Sequence, residues 1–197
     1  LDLAGISVSN VKLQACGLEQ TGPLLITHWG VSGPAVLKLS AWGARVLFDV
    51  NYRCPLHVNW LPEIHPEDLK RMIGDYRTAH GARLVSSDFP VSLPKNLWKT
   101  LIEIGGIPKD VRWSMLSKQH MQALIETLLN CTFQIDGKST YKEEFVTCGG
   151  VKLQEVDFKT LQSRLCPGVY FAGEVLDIDG VTGGFNFQNA WTTGWIA

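Results

Sequence analysis

The feature that most constrains the fold is a short apolar run between two glycines near the end of the chain. Val169 to Ala172 are all apolar, and Gly168 and Gly173 flank them. A continuous apolar run of this length is typical of a strand that is covered on both faces, as in a parallel sheet. Ligands of such sheets bind at the carboxyl ends of the strands. The sequence therefore predicts a buried strand over 169–172 whose end lies at a ligand site.

An acid and a glycine turn add polar groups beyond the end of this predicted strand. Glu174 comes directly after Gly173, where its carboxylate is placed to accept hydrogen bonds from ligand hydroxyl groups. Thr182, Gly183 and Gly184 then lead into a final helix, whose free N–H groups and positive dipole end attract negative charge. Strand, acid, turn and helix together predict half of a nucleotide-binding site. The final helix is expected to bury one apolar face, formed by Phe187, Ala190, Trp191 and Trp195.

The earlier part of the chain has the pattern of a β unit that helices interrupt. Alternating apolar residues predict a strand over 5–14, with a bulge at Asn10–Val11, and a second strand over 23–28. Pro34 suits the first turn of a short helix. The remaining strands are expected over 45–50, 131–136 and 141–147.

Between about residues 62 and 130 the apolar spacing changes to that of helices. Pro66 and the two acids after it suit a first turn, and Pro94 begins a second helix. In three segments apolar residues recur at intervals of three and four, which predicts helices that pack through one face. These faces consist of Leu69, Met72, Ile73 and Tyr76, then Leu97, Trp98, Leu101 and Ile102, then Met121, Leu124, Ile125 and Leu128.

Charge and hydropathy argue against two classes of partner. The 18 Lys and Arg residues balance 19 Asp and Glu residues, and no basic stripe is present, so we expect no nucleic-acid partner. Apolar runs such as Leu24–Ile26 are too short to span a bilayer, so we expect no membrane partner. A small-molecule substrate is the expected ligand class.

The cysteines and histidines show no metal-ligand pattern. The five cysteines are scattered without a CxxC pair, which is typical of a reduced protein inside the cell, cytoplasmic or organellar. His57, His65, His80 and His120 lack the spacing of metal ligands, so we expect no metal. His28 and Trp29 follow a predicted strand, where the histidine either faces a substrate cavity or is structural.

Three stretches of sequence resemble the aminoacetone-oxidase-like flavoproteins: FVTCGGV, GVYFAGEVLDIDGVTGGFNFQNAW and LLITHWGVSGPAVLKLS. The resemblance covers essentially the whole chain. It implies an FAD-binding oxidoreductase of the two-dinucleotide-binding fold with an inserted β-barrel and helical domain. The GxGxxG turn of that fold is not found in these residues. The chain is therefore expected to be a C-terminal fragment, inactive by itself, of an FAD-dependent oxidoreductase.

The resemblance also implies which residues hold the FAD. Gly173 and Glu174 match the strand-end motif that faces the ribityl and pyrophosphate groups. Thr147, Gly149 and Gly150 match a return turn near the flavin.

A second set of matching positions lies beside the isoalloxazine ring. Thr182, Gly183, Gly184 and Phe185 match the turn and helix start there, where the helix dipole stabilises the negative charge of reduced flavin. The Cys148 thiol either touches the ring or fills space. No residue is assigned a catalytic role.

Pattern and resemblance together predict an α+β fold. A small β-barrel interrupted by a helical unit is followed by the C-terminal strand and helix of an incomplete Rossmann-like FAD domain. The predicted domains are residues 1–146, with barrel strands in about 1–60 and 131–146 and helices in about 62–130, and residues 147–197. The expected function is to supply the ribityl and isoalloxazine side of an FAD site together with an insert that covers the substrate. The alternative is a non-catalytic module whose barrel binds a partner protein.

Overall fold

The computed structural model describes residues 3–138 and 146–197, which fall into two compact units. The first unit comprises Leu1–Val36 and Arg53–Asp136, and the second comprises Leu37–Tyr52 and Gly137–Ala197. The α+β class is confirmed, because an antiparallel sheet and amphipathic helices share the first unit. The division into domains at 146 stays a prediction.

The first unit is built on a five-stranded antiparallel sheet with the order β3-β2-β1-β4-β5. The register between β1 and β2 shifts between Val8 and Val11, which confirms the predicted bulge. Val11, Leu13 and Ala15 alternate with more exposed residues, so one face of the sheet is buried. The strands are β1 (Ser7–Ala15), β2 (Leu18–Ile26), β3 (Val31–Ser32), β4 (Arg53–Asn59) and β5 (Cys131–Asp136).

Helices supply the rest of the core of the first unit. Trp98 and Trp113 are fully buried, and each indole N–H donates to a backbone carbonyl, of Val85 and Asp88 respectively, at 2.7 Å. The hydroxyl of Ser117 caps the helix Lys118–Leu129 by accepting a hydrogen bond from the His120 N–H at 3.0 Å. The helices between residues 60 and 130 are α3 (Pro66–Ala79), α4 (Lys95–Ile104) and α5 (Lys118–Leu129).

The second unit has less regular structure and a small core. Among its described residues, Val156, Leu161 and Leu176 form a buried hydrophobic cluster. A single parallel bridge joins Val151 to Leu176. Its elements are α2 (Ala44–Asp49), β6 (Val156–Asp157), β7 (Gln162–Ser163) and α6 (Phe185–Ile196), and α1 (Pro34–Trp42) runs from the first unit into it.

The prediction of a strand over 45–50 is wrong, because these residues form helix α2. The Leu47 N–H donates to the Gly43 carbonyl at 2.8 Å, and the Val50 N–H donates to the Val46 carbonyl at 3.2 Å, both in helical i to i−4 spacing. Gly43 therefore separates two helices. A six-residue apolar run does not distinguish a strand from a helix by its period.

The predicted parallel strand over 169–172 is not formed. The Ser163 N–H donates to the Val169 carbonyl at 2.7 Å, and the Phe171 N–H donates to the Leu161 carbonyl at 3.0 Å, so this run lies antiparallel to the segment just before it. A chain that reverses over a few residues pairs only in this way. Val169 and Tyr170 are 42% and 49% exposed, so the run is not covered on both faces.

The predicted apolar face of the last helix is also wrong. Phe187, Trp191 and Trp195 are 69%, 70% and 92% exposed, and Thr193 is the buried residue of α6. The polar Thr193 is turned inward because its hydroxyl accepts from the Gly173 N–H at 2.8 Å and donates to the Asn189 carbonyl at 2.6 Å.

Two remaining expectations concern the middle strand and the membrane. Residues 141–145 of the strand predicted over 141–147 lie outside the described residues. Within the described ranges, no helix combines the length and apolar character needed to cross a bilayer.

Candidate functional site

The predicted site residues of the second unit begin with a turn that Glu174 holds. The Thr147 N–H donates to Oε1 of Glu174 at 3.0 Å, which ties the return turn to the segment after the apolar run. The sequence separates these two residues by 27 positions, yet the structure joins them. One carboxylate oxygen of Glu174 is thus engaged with the backbone.

Gly150 lies where two backbone segments meet. The Val151 N–H donates to the Val175 carbonyl at 2.8 Å, and the Asp177 N–H donates to the Val151 carbonyl at 3.0 Å. A Cβ atom at Gly150 would lie 2.5 Å from the Val175 carbonyl oxygen. Only glycine fits this position, since both neighbours are backbone atoms. The role of Gly150 is therefore close packing of the turn.

Gly173 packs against the middle of α6. A Cβ atom at Gly173 would lie 3.7 Å from Cβ of Ala190, and the φ angle of Gly173 is +74°. Ala190 lies six positions after Gly184, about 9 Å along a helix axis. Gly173 and the start of α6 are therefore separate parts of the candidate site.

The loop before α6 is braced by one side chain. Oδ1 of Asn186 accepts from the Gly180 N–H at 2.7 Å, and its Nδ2 donates to the Gly180 carbonyl at 2.8 Å. Between these residues, Gly184 has a φ angle of +91° and precedes the helix without a side-chain cap. The direction of a Cβ atom at Gly184 is open to 4 Å. The backbone at Gly184 is therefore open on its Cβ side, and the first N–H groups of α6 have no side-chain cap.

Charged groups lie close to the return turn. Nη2 of Arg45 and Oδ1 of Asp177 form an ion pair at 2.5 Å. Burial raises the pKa of the Cys148 thiol above its usual value, and the Asp179 carboxylate raises it further, whereas Arg45 lowers it. Cys148 is therefore a neutral thiol at pH 7, which suits a space-filling residue better than a nucleophile.

Sequence reasoning missed three residues of this region. Asn186 and Thr193 fix the loop and the helix, and Arg45 pairs with a carboxylate 132 positions away. A polar residue in an aromatic-rich helix was an available signal for Thr193. No local pattern indicates the partner of Arg45, because ion pairs between distant segments depend on the tertiary fold.

Removing the Asn186 brace is expected to loosen the loop before α6. Asn186→Ala leaves the Gly180 N–H and carbonyl without partners, so we expect a loss of about 1–3 kcal/mol in the stability of the second unit. Asn186→Asp keeps the acceptor and loses the donor, so its stability should lie between that of wild type and that of the alanine variant. Urea unfolding monitored by tryptophan fluorescence measures both, and an Asn186→Ala variant as stable as wild type would contradict the brace.

The family model described as HI0933-like protein barrel and H2TH domain matches residues 1–146. The chain therefore belongs to this family. The match agrees with the sheet and the helices of the first unit.

Two curated relatives share a reaction. The ribosomal RNA dihydrouridine synthase of Escherichia coli is 38% identical over 193 residues, which cover 98% of this chain and 46% of the relative. The protein of the same name from Haemophilus influenzae is 32% identical over 193 residues, covering 98% of this chain and 45% of the relative.

A third relative, the 3-dehydro-bile acid delta(4,6)-reductase of Clostridium scindens, is 30% identical over 179 residues, which cover 91% of this chain and 44% of the relative. The chain spans about half the length of the curated relatives that it matches.

These comparisons correct two expectations and confirm one. The expected function, a fragment of a flavin-dependent oxidoreductase with an insert over a small-molecule substrate, is contradicted by relatives named for synthesis of dihydrouridine in ribosomal RNA. The expectation of no nucleic-acid partner is wrong for the same reason. Balanced charge does not exclude an RNA partner, because RNA is also recognised by stacking and shape. The expectation of an enzyme family is confirmed, since the three relatives are a synthase of two species and a reductase.

Proposed function

We propose that this chain is part of an enzyme that reduces a uridine of ribosomal RNA to dihydrouridine. The observation that carries the proposal is 38% identity over 98% of the chain to a ribosomal RNA dihydrouridine synthase. The bile acid reductase supports the same type of reaction in the family. A non-catalytic partner-binding module has no comparable support. An RNA substrate of this kind also favours a protein inside the cell.

The names of the relatives describe closely related chemistry. Dihydrouridine differs from uridine by two hydrogen atoms across the C5–C6 double bond, which is conjugated with a carbonyl group. The reduction adds a hydride to C6 and a proton to C5, and a reduced nicotinamide cofactor and one proton balance it. A 3-dehydro-bile acid with unsaturation at C4 and C6 is likewise a conjugated carbonyl compound. A hydride carrier is therefore common to both reactions.

FAD is the hydride carrier that we propose. Bound and reduced, it would supply the hydride. Support comes from the uncapped start of α6, the open space at Gly184, and the resemblance to the aminoacetone-oxidase-like flavoproteins. The N–H groups after Gly183 and Gly184 would hold the negative pyrimidine edge of the ring. Phe185, which is 62% exposed, and Thr182 would border it.

The turn residues would position the remainder of the cofactor. Thr147 and Glu174 are joined by a hydrogen bond, so their segments would present one surface to the ribityl group. Gly149 has a φ angle of +105° and an open Cβ direction, which allows the ligand to approach the backbone. Gly150 and Gly173 would act through packing of the turn and of α6.

The experiment combines cofactor identification with an RNA assay. The protein expressed from its complete gene is purified, its visible spectrum is recorded, and the released cofactor is identified by mass. Unmodified ribosomal RNA is then incubated with the protein and a reduced nicotinamide cofactor, and dihydrouridine is quantified by mass spectrometry of nucleosides. A flavin spectrum with dihydrouridine formation is expected. Reduction of a 3-dehydro-bile acid without reduction of RNA would contradict the substrate, and the absence of flavin would contradict the cofactor.

A further inference from the structure

One exposed aromatic residue of the first unit takes no part in the proposed cofactor site. Trp29 is 88% exposed at the tip of the loop that joins β2 to β3. The other residues of the loop, Thr27, His28 and Gly30, carry no large apolar side chain. A tryptophan this exposed contributes nothing to the core. Its ring is therefore available to contact a ligand.

The loop holds its shape through its own hydrogen bonds. The Thr27 N–H donates to the Gly30 carbonyl at 2.8 Å, and the Trp29 N–H donates to the Thr27 hydroxyl at 3.4 Å. Leu25 pairs with Ser32 and Ile26 with Val31 directly below the loop. The tip is therefore a four-residue hairpin loop of defined geometry.

The strand below the loop is also held from its other side. The Ile26 N–H donates to the Ile6 carbonyl at 2.8 Å, and the Gly5 N–H donates to the Ile26 carbonyl at 2.8 Å. At Gly33 a Cβ atom would lie 3.0 Å from the Pro23 carbonyl oxygen, so the hairpin closes tightly at its base. A rigid support lowers the entropic cost when a ligand contacts the tip.

We propose that Trp29 stacks on an unpaired base of the RNA substrate, an inference that rests on the proposed function. A uridine that is reduced at C5–C6 has to leave its base stack, which leaves unstacked bases in the RNA. Proteins bind such bases by stacking them on aromatic side chains. A single aromatic side chain at a polar tip suits a nucleic-acid base better than a protein partner. The residues that dominate binding in protein–protein interfaces are surrounded by other packed contacts, which this tip lacks. Stacking also needs no basic stripe, in agreement with the balanced charge of the chain.

The test measures RNA binding by the protein expressed from its complete gene. The probe is a fluorescently labelled single-stranded oligouridylate, and the variants are Trp29→Ala and Trp29→Phe. Trp29→Ala removes the stacking contact with one base, so we expect its dissociation constant for the probe to rise about 5- to 150-fold. Trp29→Phe keeps an aromatic ring and should retain most of the affinity. The rate at which a reduced nicotinamide cofactor reduces the enzyme should not change in either variant. The matched control is Trp42→Ala, which removes a tryptophan that is 65% exposed at the end of a helix and should bind as wild type does.

The outcomes distinguish a failure of the Trp29 contact from a failure of the proposed function. Wild-type binding and dihydrouridine formation with less than a fivefold effect of Trp29→Ala would overturn the inference alone. Equal weakening by Trp42→Ala, or a Trp29→Phe variant as weak as the alanine variant, would also overturn it. No RNA binding and no dihydrouridine formation by wild type would overturn both.

Discussion

Gly184→Val is expected to abolish or strongly reduce flavin binding in the protein expressed from its complete gene. Gly184 has a φ angle of +91°, where a β-branched residue costs about 1–3 kcal/mol of local strain. Its Cβ direction is open, so the valine side chain would occupy the space proposed for the pyrimidine edge of the ring. Flavin that remains should have a lower reduction potential, because the helix start would stabilise reduced flavin less, by about 0.3–2 kcal/mol. Flavin content per folded protein and the midpoint potential measure both effects.

Gly184→Asn separates occupied space from backbone strain. Asparagine tolerates positive φ angles better than other side chains, so this variant should be close to wild type in stability. It still fills the open space, and we expect it to lose flavin as the valine variant does. Unchanged flavin content and potential in the folded fraction of both variants would mean that Gly184 serves the helix start alone.

Gly150→Ala is expected to destabilise the second unit by about 3 kcal/mol or more, at the upper end of the range for overpacking. The added methyl group would lie 2.5 Å from the Val175 carbonyl oxygen and 2.6 Å from the Leu176 carbonyl carbon. Backbone atoms cannot swing aside as the end of a side chain can. The pairing of Val151 with Leu176 would have to open, and Leu176 belongs to a core with few other buried residues. The fragment of the chain around 147–177 should therefore exchange its amide hydrogens faster.

Gly194→Ala is the matched control for an added methyl group in the same unit. Gly194 lies inside α6, and a Cβ atom there meets no atom within 4 Å. Alanine in a helix restricts the unfolded chain, so we expect about 0.4–1 kcal/mol of added stability. Hydrogen exchange and thermal unfolding compare the two variants. Equal stability of Gly150→Ala and wild type would show that the two segments can separate without cost.

Local patterns predicted several elements of the first unit, although they missed strand β4 (Arg53–Asn59) between β1 and β5. The phase change at Asn10–Val11 indicated a bulge, and proline positions indicated the starts of α3 and α4. These features depend on a few neighbouring residues, so a single sequence is sufficient to identify them. The spacing of Leu97, Trp98, Leu101 and Ile102 likewise indicated a face that the structure buries.

Prediction failed in the second unit, where the pairing and burial of each segment did not follow from its local pattern. The run at 169–172 looked like a buried strand, but its partner is the adjacent segment 161–163 and its outer side is exposed. The spacing of Phe187, Trp191 and Trp195 was that of a buried helix face, although the contact that fixes α6 is the hydroxyl of Thr193. The order of glycines and Glu174 identified candidate ligand positions, while the tie between Thr147 and Glu174 needed the fold.

The exposed aromatic side of α6 also affects how this chain behaves in solution. Phe187, Trp191 and Trp195 recur every fourth residue, and the rings of Phe187 and Trp191 stack with centroids 6.2 Å apart. A stripe of exposed aromatic side chains favours self-association, so molecules that carry it associate as their concentration rises. Preparations of these 197 residues should therefore scatter more light on concentration, and polar replacements at the two tryptophans should improve solubility without loosening the helix.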